Sequence, residues 1–123
     1  MATISCSLDE IYQLIRSVML SNGCDEPNAD ALADIMTRAE RDGSHSHGLF
    51  RVPGYVKALR SGKVNGKARP KVENVTPAII RVNGHSCFAP IAQSVGLPAL
   101  AKATKEIGIG ALTLTGIHHF AAL

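Results

Sequence analysis

Tryptophan is absent, and only two tyrosines and three phenylalanines occur in 123 residues. A core built from this chain must be aliphatic, and the aromatic platform on which single-stranded nucleic acid stacks is missing. The net charge is only +3, with Lys and Arg scattered along the chain, so a nucleic-acid partner is not expected. Cys6, Cys24 and Cys87 are widely spaced, odd in number and form no CxxC pair. That excludes a disulfide framework or a zinc knuckle of the usual kind. No apolar run approaches the roughly 20 residues that span a bilayer, and the first residues lack the basic-then-apolar layout of a secretory signal. The reading is a chain in the reducing cytoplasm with no membrane partner.

What is present supports a packed core, because 46% of the residues are hydrophobic. The length suits one domain or the first part of a larger one. Ser7-Leu8-Asp9-Glu10 has the form of a capping box. Ile11, Leu14, Ile15, Val18 and Met19 then mark the apolar stripe of a first helix, which Asn22-Gly23 ends. Asp25-Glu26-Pro27 opens a second helix, with Leu32, Ile35, Met36 and Ala39 on its buried face and Gly43 as its stop. A third helix is expected from an N-cap at Ser46 to Leu59, kinked or restarted at Pro53-Gly54 and ended by Ser61-Gly62. The polar segment 63–69 is the candidate boundary.

Beyond Pro70 the texture changes. Lys71 to Val75 and Ala78 to Val82 are short strand-like runs, bounded by Pro77 and by Asn83-Gly84. Ala89 to Ile107 reads as a helix with Pro98 as a kink, and Ile109 to Thr115 reads as a further strand. The expected fold class is α/β, with a helical N-terminal subdomain over residues 1–69 and the beginning of a sheet domain over residues 70–123. The sequence given stops just after this strand and a Gly-His-His-Phe turn, and a strand with one neighbour in view leaves an edge without a partner, so the sheet is expected to be incomplete.

Two groups of residues carry chemistry. In the first, His47 and Arg51 would share a face if a helix started near Ser46. An imidazole donates a proton near neutral pH, and a guanidinium grips a carboxylate through two parallel hydrogen bonds. Ser46 would orient the ring, and Gly48 would allow close approach of a ligand. On spacing alone, the plainer reading of surface polar groups at a helix start stands ahead. The second group, Gly116-Ile117-His118-His119-Phe120-Ala121, follows a strand, where α/β sheets bind ligands; taken alone it is an ordinary strand-to-helix turn. His45, His47, His118 and His119 also suit zinc by residue type, but no third ligand is placed beside them, and no metal is assigned. His85, beside a turn, reads as exposed.

From Asp42-Gly43-Ser44-His45-Ser46-His47-Gly48 and Arg51, through Tyr55, Gly62-Lys63-Val64-Asn65 and Gly108-Ile109-Gly110, to His118-His119-Phe120, the chain resembles the malate/L-lactate dehydrogenase-like family of NAD(P)-dependent oxidoreductases. This family is distinct from the Rossmann-type lactate and malate dehydrogenases. Glu40-Arg41-Asp42-Gly43, Leu49 to Tyr55 and Ile117 to Leu123 look most similar to its Δ1-piperideine-2-carboxylate/Δ1-pyrroline-2-carboxylate reductases. His118 and Ala121 depart from the pattern of the hydroxy-acid members.

The resemblance implies a non-Rossmann mixed-sheet cofactor domain, present here only in its first part. It implies that Ser46 belongs to a hydrogen-bonded relay, His47 donates the proton and Arg51 binds the substrate carboxylate. It implies that His119, Phe120, Ala121, Ala122 and Leu123 begin the segment that contacts NADP, with NAD as the other possibility. The implied reaction is NAD(P)H-dependent reduction of the C=N bond of a cyclic imino acid, a small carboxylic acid, to L-proline or L-pipecolate; a 2-hydroxy-acid dehydrogenase is the alternative, and a non-catalytic metal-binding helical domain is the lesser one. The full-length protein is implied to be a homodimer, and this chain alone is expected to be inactive.

Overall fold

A computed structural model describes residues 2–118. The helices come first. Helix α1 spans Leu8–Ser21, and its capping box is formed in both directions: the Glu10 N–H donates to Ser7 Oγ at 3.1 Å and the Ser7 N–H to Glu10 Oε2 at 2.7 Å. Ile15 and Met19 are buried, but Leu14 is 55% exposed. The inward stripe runs instead through Ile11, Tyr12, Ile15, Val18 and Met19, because Leu14 falls to the edge of that face at 100° per residue. Gly23 closes the turn with φ +107°.

Helix α2 spans Glu26–Arg41, with the Asp25 side chain accepting from the Asn28 N–H and Pro27 in the first turn. Leu32, Met36 and Ala39 are buried. Leu32 and Met36 join Ile15, Met19, Tyr55, Val64 and Phe88 in one core cluster. Each fully buried aliphatic side chain contributes roughly 1.5–3 kcal/mol. Gly43, at φ +78°, ends the helix as expected.

The third helix differs from expectation. Residues His45–His47 and Leu49–Arg51 form two short 3-10 turns, and helix α3 runs only over Val52–Arg60. Ser46 is therefore not an N-cap. Gly48, at φ −95° and ψ −133°, breaks the helical path between the two turns, and the chain resumes helix only where Pro53 occupies the first turn.

Segment 63–69 is fastened on two sides. The Asp25 N–H donates to Gly66 O and the Asn65 N–H to Ser86 O, while Arg69 pairs with Asp25 at 2.6 Å.

Strands β1 (Lys71–Asn74), β2 (Ile79–Phe88) and β3 (Ala111–His118) form a mixed sheet with β2 central. β1 runs antiparallel to β2, and β3 runs parallel to it. Helix α4 spans Ala89–Ile107, passes through Pro98 and ends at Gly108 with φ +94°. The architecture is helices first and a mixed α/β layer after, as the sequence pattern predicts. Two boundaries differ. Asn83-Gly84 does not end β2, because the irregularity there is absorbed as a bulge, with the register shifting between Asn83 and Cys87. The bulge carries φ +50° at His85 and +66° at Ser86. Likewise Gly116 to His118 continue β3 rather than forming a turn.

Candidate functional site

The last turn of α2 and the two 3-10 turns build the first group. Ser46 Oγ and His47 Nδ1 lie 3.0 Å apart, and Arg51 Nε donates to the Ser46 carbonyl at 2.8 Å. The three predicted residues are thus brought together, though not along one helix face. Ser46 is the hub: its hydroxyl meets the imidazole and its carbonyl meets the guanidinium. His47 and Arg51 are half-buried and Ser46 is exposed.

Glu40, which the sequence marks only through the Glu40-Arg41-Asp42-Gly43 resemblance and with no role of its own, organises this loop. Its Oε2 meets His45 Nδ1 at 2.6 Å, and its Oε1 accepts the Leu49 N–H at 2.8 Å. The Glu40 side chain is 13% exposed and that of His45 is 74% exposed. A signal for Glu40 exists in the sequence: an acid in the last turn of a helix opposes the macrodipole, so its placement there calls for a compensating partner.

The second group lies beside the first. Because β2 and β3 run parallel, both end on the same side, with Phe88 and His118 as Cα partners. Phe88 packs against the Tyr55 ring with centroids 4.8 Å apart and meets the His118 ring edge-on at 6.0 Å. Tyr55 follows Arg51 by one turn. Its phenol is pushed above its ordinary value by burial, and the nearby Arg51 charge acts in the opposite direction. The path Arg51, Tyr55, Phe88, His118 therefore connects the loop to the carboxyl ends of the parallel strands, where α/β sheets hold ligands. The His118 imidazole is held below its ordinary value, first by burial and then by the charge of Lys63. Tyr55 stands in the sequence pattern without an assigned role and Phe88 is unmarked there; their ring contacts identify them.

His119 to Leu123, the expected start of the cofactor segment, lie outside the described residues. Among the described residues no group of three His, Cys, Asp or Glu side chains converges as a metal site, and none of the helices is long and apolar enough to cross a membrane. Surface clefts of about 540, 450 and 300 Å³ are lined by residues other than Ser46, His47 and Arg51.

Residues 6–123 match the family described as malate/L-lactate dehydrogenase. The chain is 46% identical over 120 residues to a Delta(1)-pyrroline-2-carboxylate reductase of Ancylobacter novellus, covering 98% of this chain and 35% of that protein. It is 41% identical over 121 residues to a Delta(1)-pyrroline-2-carboxylate/Delta(1)-piperideine-2-carboxylate reductase of Pseudomonas syringae pv. tomato, again covering 98% and 35%. The crystal structure of delta1-piperideine-2-carboxylate reductase from the same organism superposes with a TM-score of 0.94 at 41% identity, over 98% of this chain and 36% of that one. Malate dehydrogenase from Entamoeba histolytica superposes with a TM-score of 0.88 at 26% identity, over 98% and 34%. The chain spans about a third of the length of the curated relatives it matches.

Proposed function

The chain belongs to the malate/L-lactate dehydrogenase family, and from that premise we propose that the full-length protein reduces the C=N bond of cyclic imino acids. The substrates are Δ1-pyrroline-2-carboxylate and Δ1-piperideine-2-carboxylate, and the products L-proline and L-pipecolate. The observation that carries the reading is the hydrogen-bonded unit of Ser46, His47 and Arg51.

In this reading His47 protonates the imine nitrogen. In the charged ring Nδ1–H donates to Ser46 Oγ and Nε2–H faces the imine nitrogen, so that transfer of the Nε2 proton returns the ring to its neutral form. Arg51 binds the carboxylate and so fixes which face of the imine is presented. Its Nε is already committed to the Ser46 carbonyl, which aligns the guanidinium and leaves its terminal nitrogens for the substrate. When bound, a reduced nicotinamide supplies hydride to the imine carbon. NADP is the proposed cofactor, with NAD as the alternative, and residues 119–123 are proposed to begin its site. Residues 1–69 are proposed to carry the proton donor and carboxylate site, and residues 70–123 to open the cofactor domain. The remainder of the substrate pocket is assigned to the part of the relatives' length that this chain does not span. A cytoplasmic homodimer is proposed for the full-length protein, to be checked by light scattering.

The test is an assay of the full-length protein with both cyclic imines and with pyruvate and oxaloacetate, using NADPH and NADH in turn. The expected result is imine reduction without comparable turnover of the keto acids. Faster turnover of pyruvate or oxaloacetate would replace this reading with a 2-hydroxy-acid dehydrogenase, which the likeness to a malate dehydrogenase favours as the second choice.

A further inference from the structure

We infer that Glu40 is the positioning residue of the proton-donating loop: its carboxylate clamps the chain on both sides of His47. One oxygen holds His45, two residues before His47, and the other holds the Leu49 N–H, two residues after it. The loop between these anchors has no regular helix of its own, only two 3-10 turns separated by Gly48. Short turns of this kind are weakly held by their own hydrogen bonds, so their geometry depends on an outside partner.

Three independent features converge on the clamp. Glu40 stands in the last turn of α2, where the helix macrodipole disfavours an anion; the Leu49 N–H and the His45 ring supply the compensation. The Glu40 side chain is largely buried, so its oxygens need these partners. Gly48 is buried with its backbone against the Glu40 carboxylate, and no Cβ fits between them. Leu49, the residue whose N–H is held, also packs against the core cluster around Ile15 and Phe88. The carboxylate therefore ties the turn that carries His47 and Arg51 to α2 on one side, while the Leu49 side chain ties it to the core on the other. Preorganisation of this kind affects turnover, because a proton donor displaced by about 1 Å loses much of its effect.

The kinetic part of this inference rests on the proposed imine reduction, and the structural part does not. Amide hydrogen exchange across residues 44–52 of the full-length protein, measured for the native protein and for Glu40→Ala, Glu40→Gln and His45→Ala, tests it. Glu40→Ala is expected to speed exchange at Leu49 by roughly tenfold, the loss of about one hydrogen bond, while the amides of 29–37 in α2 stay protected. Glu40→Gln keeps an acceptor for Leu49 and is expected to stay near the native rate. His45→Ala removes only the exposed arm, so Leu49 is expected to stay protected. If Glu40→Ala does not fold, Glu40→Asp, one methylene too short to reach both partners, takes its place. In the same variants kcat for the imine is expected to fall with Glu40→Ala and to recover largely with Glu40→Gln. Unchanged exchange at 44–52, or exchange that rises equally throughout α2, would overturn the clamp. A native protein that does not reduce imines would overturn the activity while leaving the exchange result to decide the role of Glu40.

Discussion

A methyl group placed on Gly48 would fall against the Glu40 side chain, 2.7 Å from its Cγ. The carboxylate cannot swing aside without releasing both the Leu49 N–H and His45. Gly48→Ala is therefore expected to destabilise the protein by about 1–3 kcal/mol, the cost of leaving a partly buried donor unpaired. Chemical denaturation reads this as a lower midpoint at constant slope. A native midpoint would show that the carboxylate moves freely.

Arg51→Ala and His47→Ala should separate kinetically. Loss of the guanidinium removes carboxylate binding and is expected to raise KM for the imine by roughly 10- to 100-fold. Loss of the imidazole is expected to lower kcat by about 10²- to 10⁴-fold with a smaller change in KM. Arg51→Lys should not restore KM, because an ammonium lacks the paired donors. Near-normal turnover by His47→Ala would remove the donor assignment.

The three thiols should differ sharply in reactivity. Cys6 is exposed, whereas Cys24 and Cys87 are buried. Burial, with help from Asp25, pushes the Cys24 thiol up to about 11, and burial raises Cys87 as well. At pH 8 iodoacetamide is expected to label Cys6 in the native protein and to reach the other two only after denaturation. Mass spectrometry of the labelled peptides decides it.

His118 makes a contribution to pH dependence whose sign is fixed by its environment. Its folded value lies below the ordinary 6.5, so the unfolded chain binds the proton first as pH falls. Stability from this group is complete above 6.5 and is lost as pH falls from there through the depressed folded value. His118→Asn is expected to flatten that part of the stability curve. A variant with the native acid slope would show that His118 does not contribute to it.

Much of the fold was legible because local rules agreed with the tertiary result. The capping box at Ser7 and Glu10, the Asp25 cap and the stops at Gly23, Gly43 and Gly62 depend on backbone groups a few residues apart. The third helix departs from its local pattern for the same reason. The Ser46-to-Leu59 stretch looks helical by composition, yet Glu40 holds Leu49 from nine residues away and Gly48 takes a non-helical conformation beneath it. The bulge at His85 and Ser86 was hidden for a related reason: Asn83-Gly84 resembles a strand end locally, but pairing with β3 on the far side carries the strand onward.

The sequence by itself determined the helix caps and the order of helices before strands, and it marks Ser46, His47 and Arg51 as proposed site residues through the family resemblance. Only the tertiary structure decided how those three meet, through the two sides of Ser46, and that Tyr55 and Phe88 bridge Arg51 to His118. The physical reason is range. Caps and turns are satisfied by hydrogen bonds within four residues, whereas this site is assembled by one carboxylate and two aromatic rings whose partners lie far along the chain.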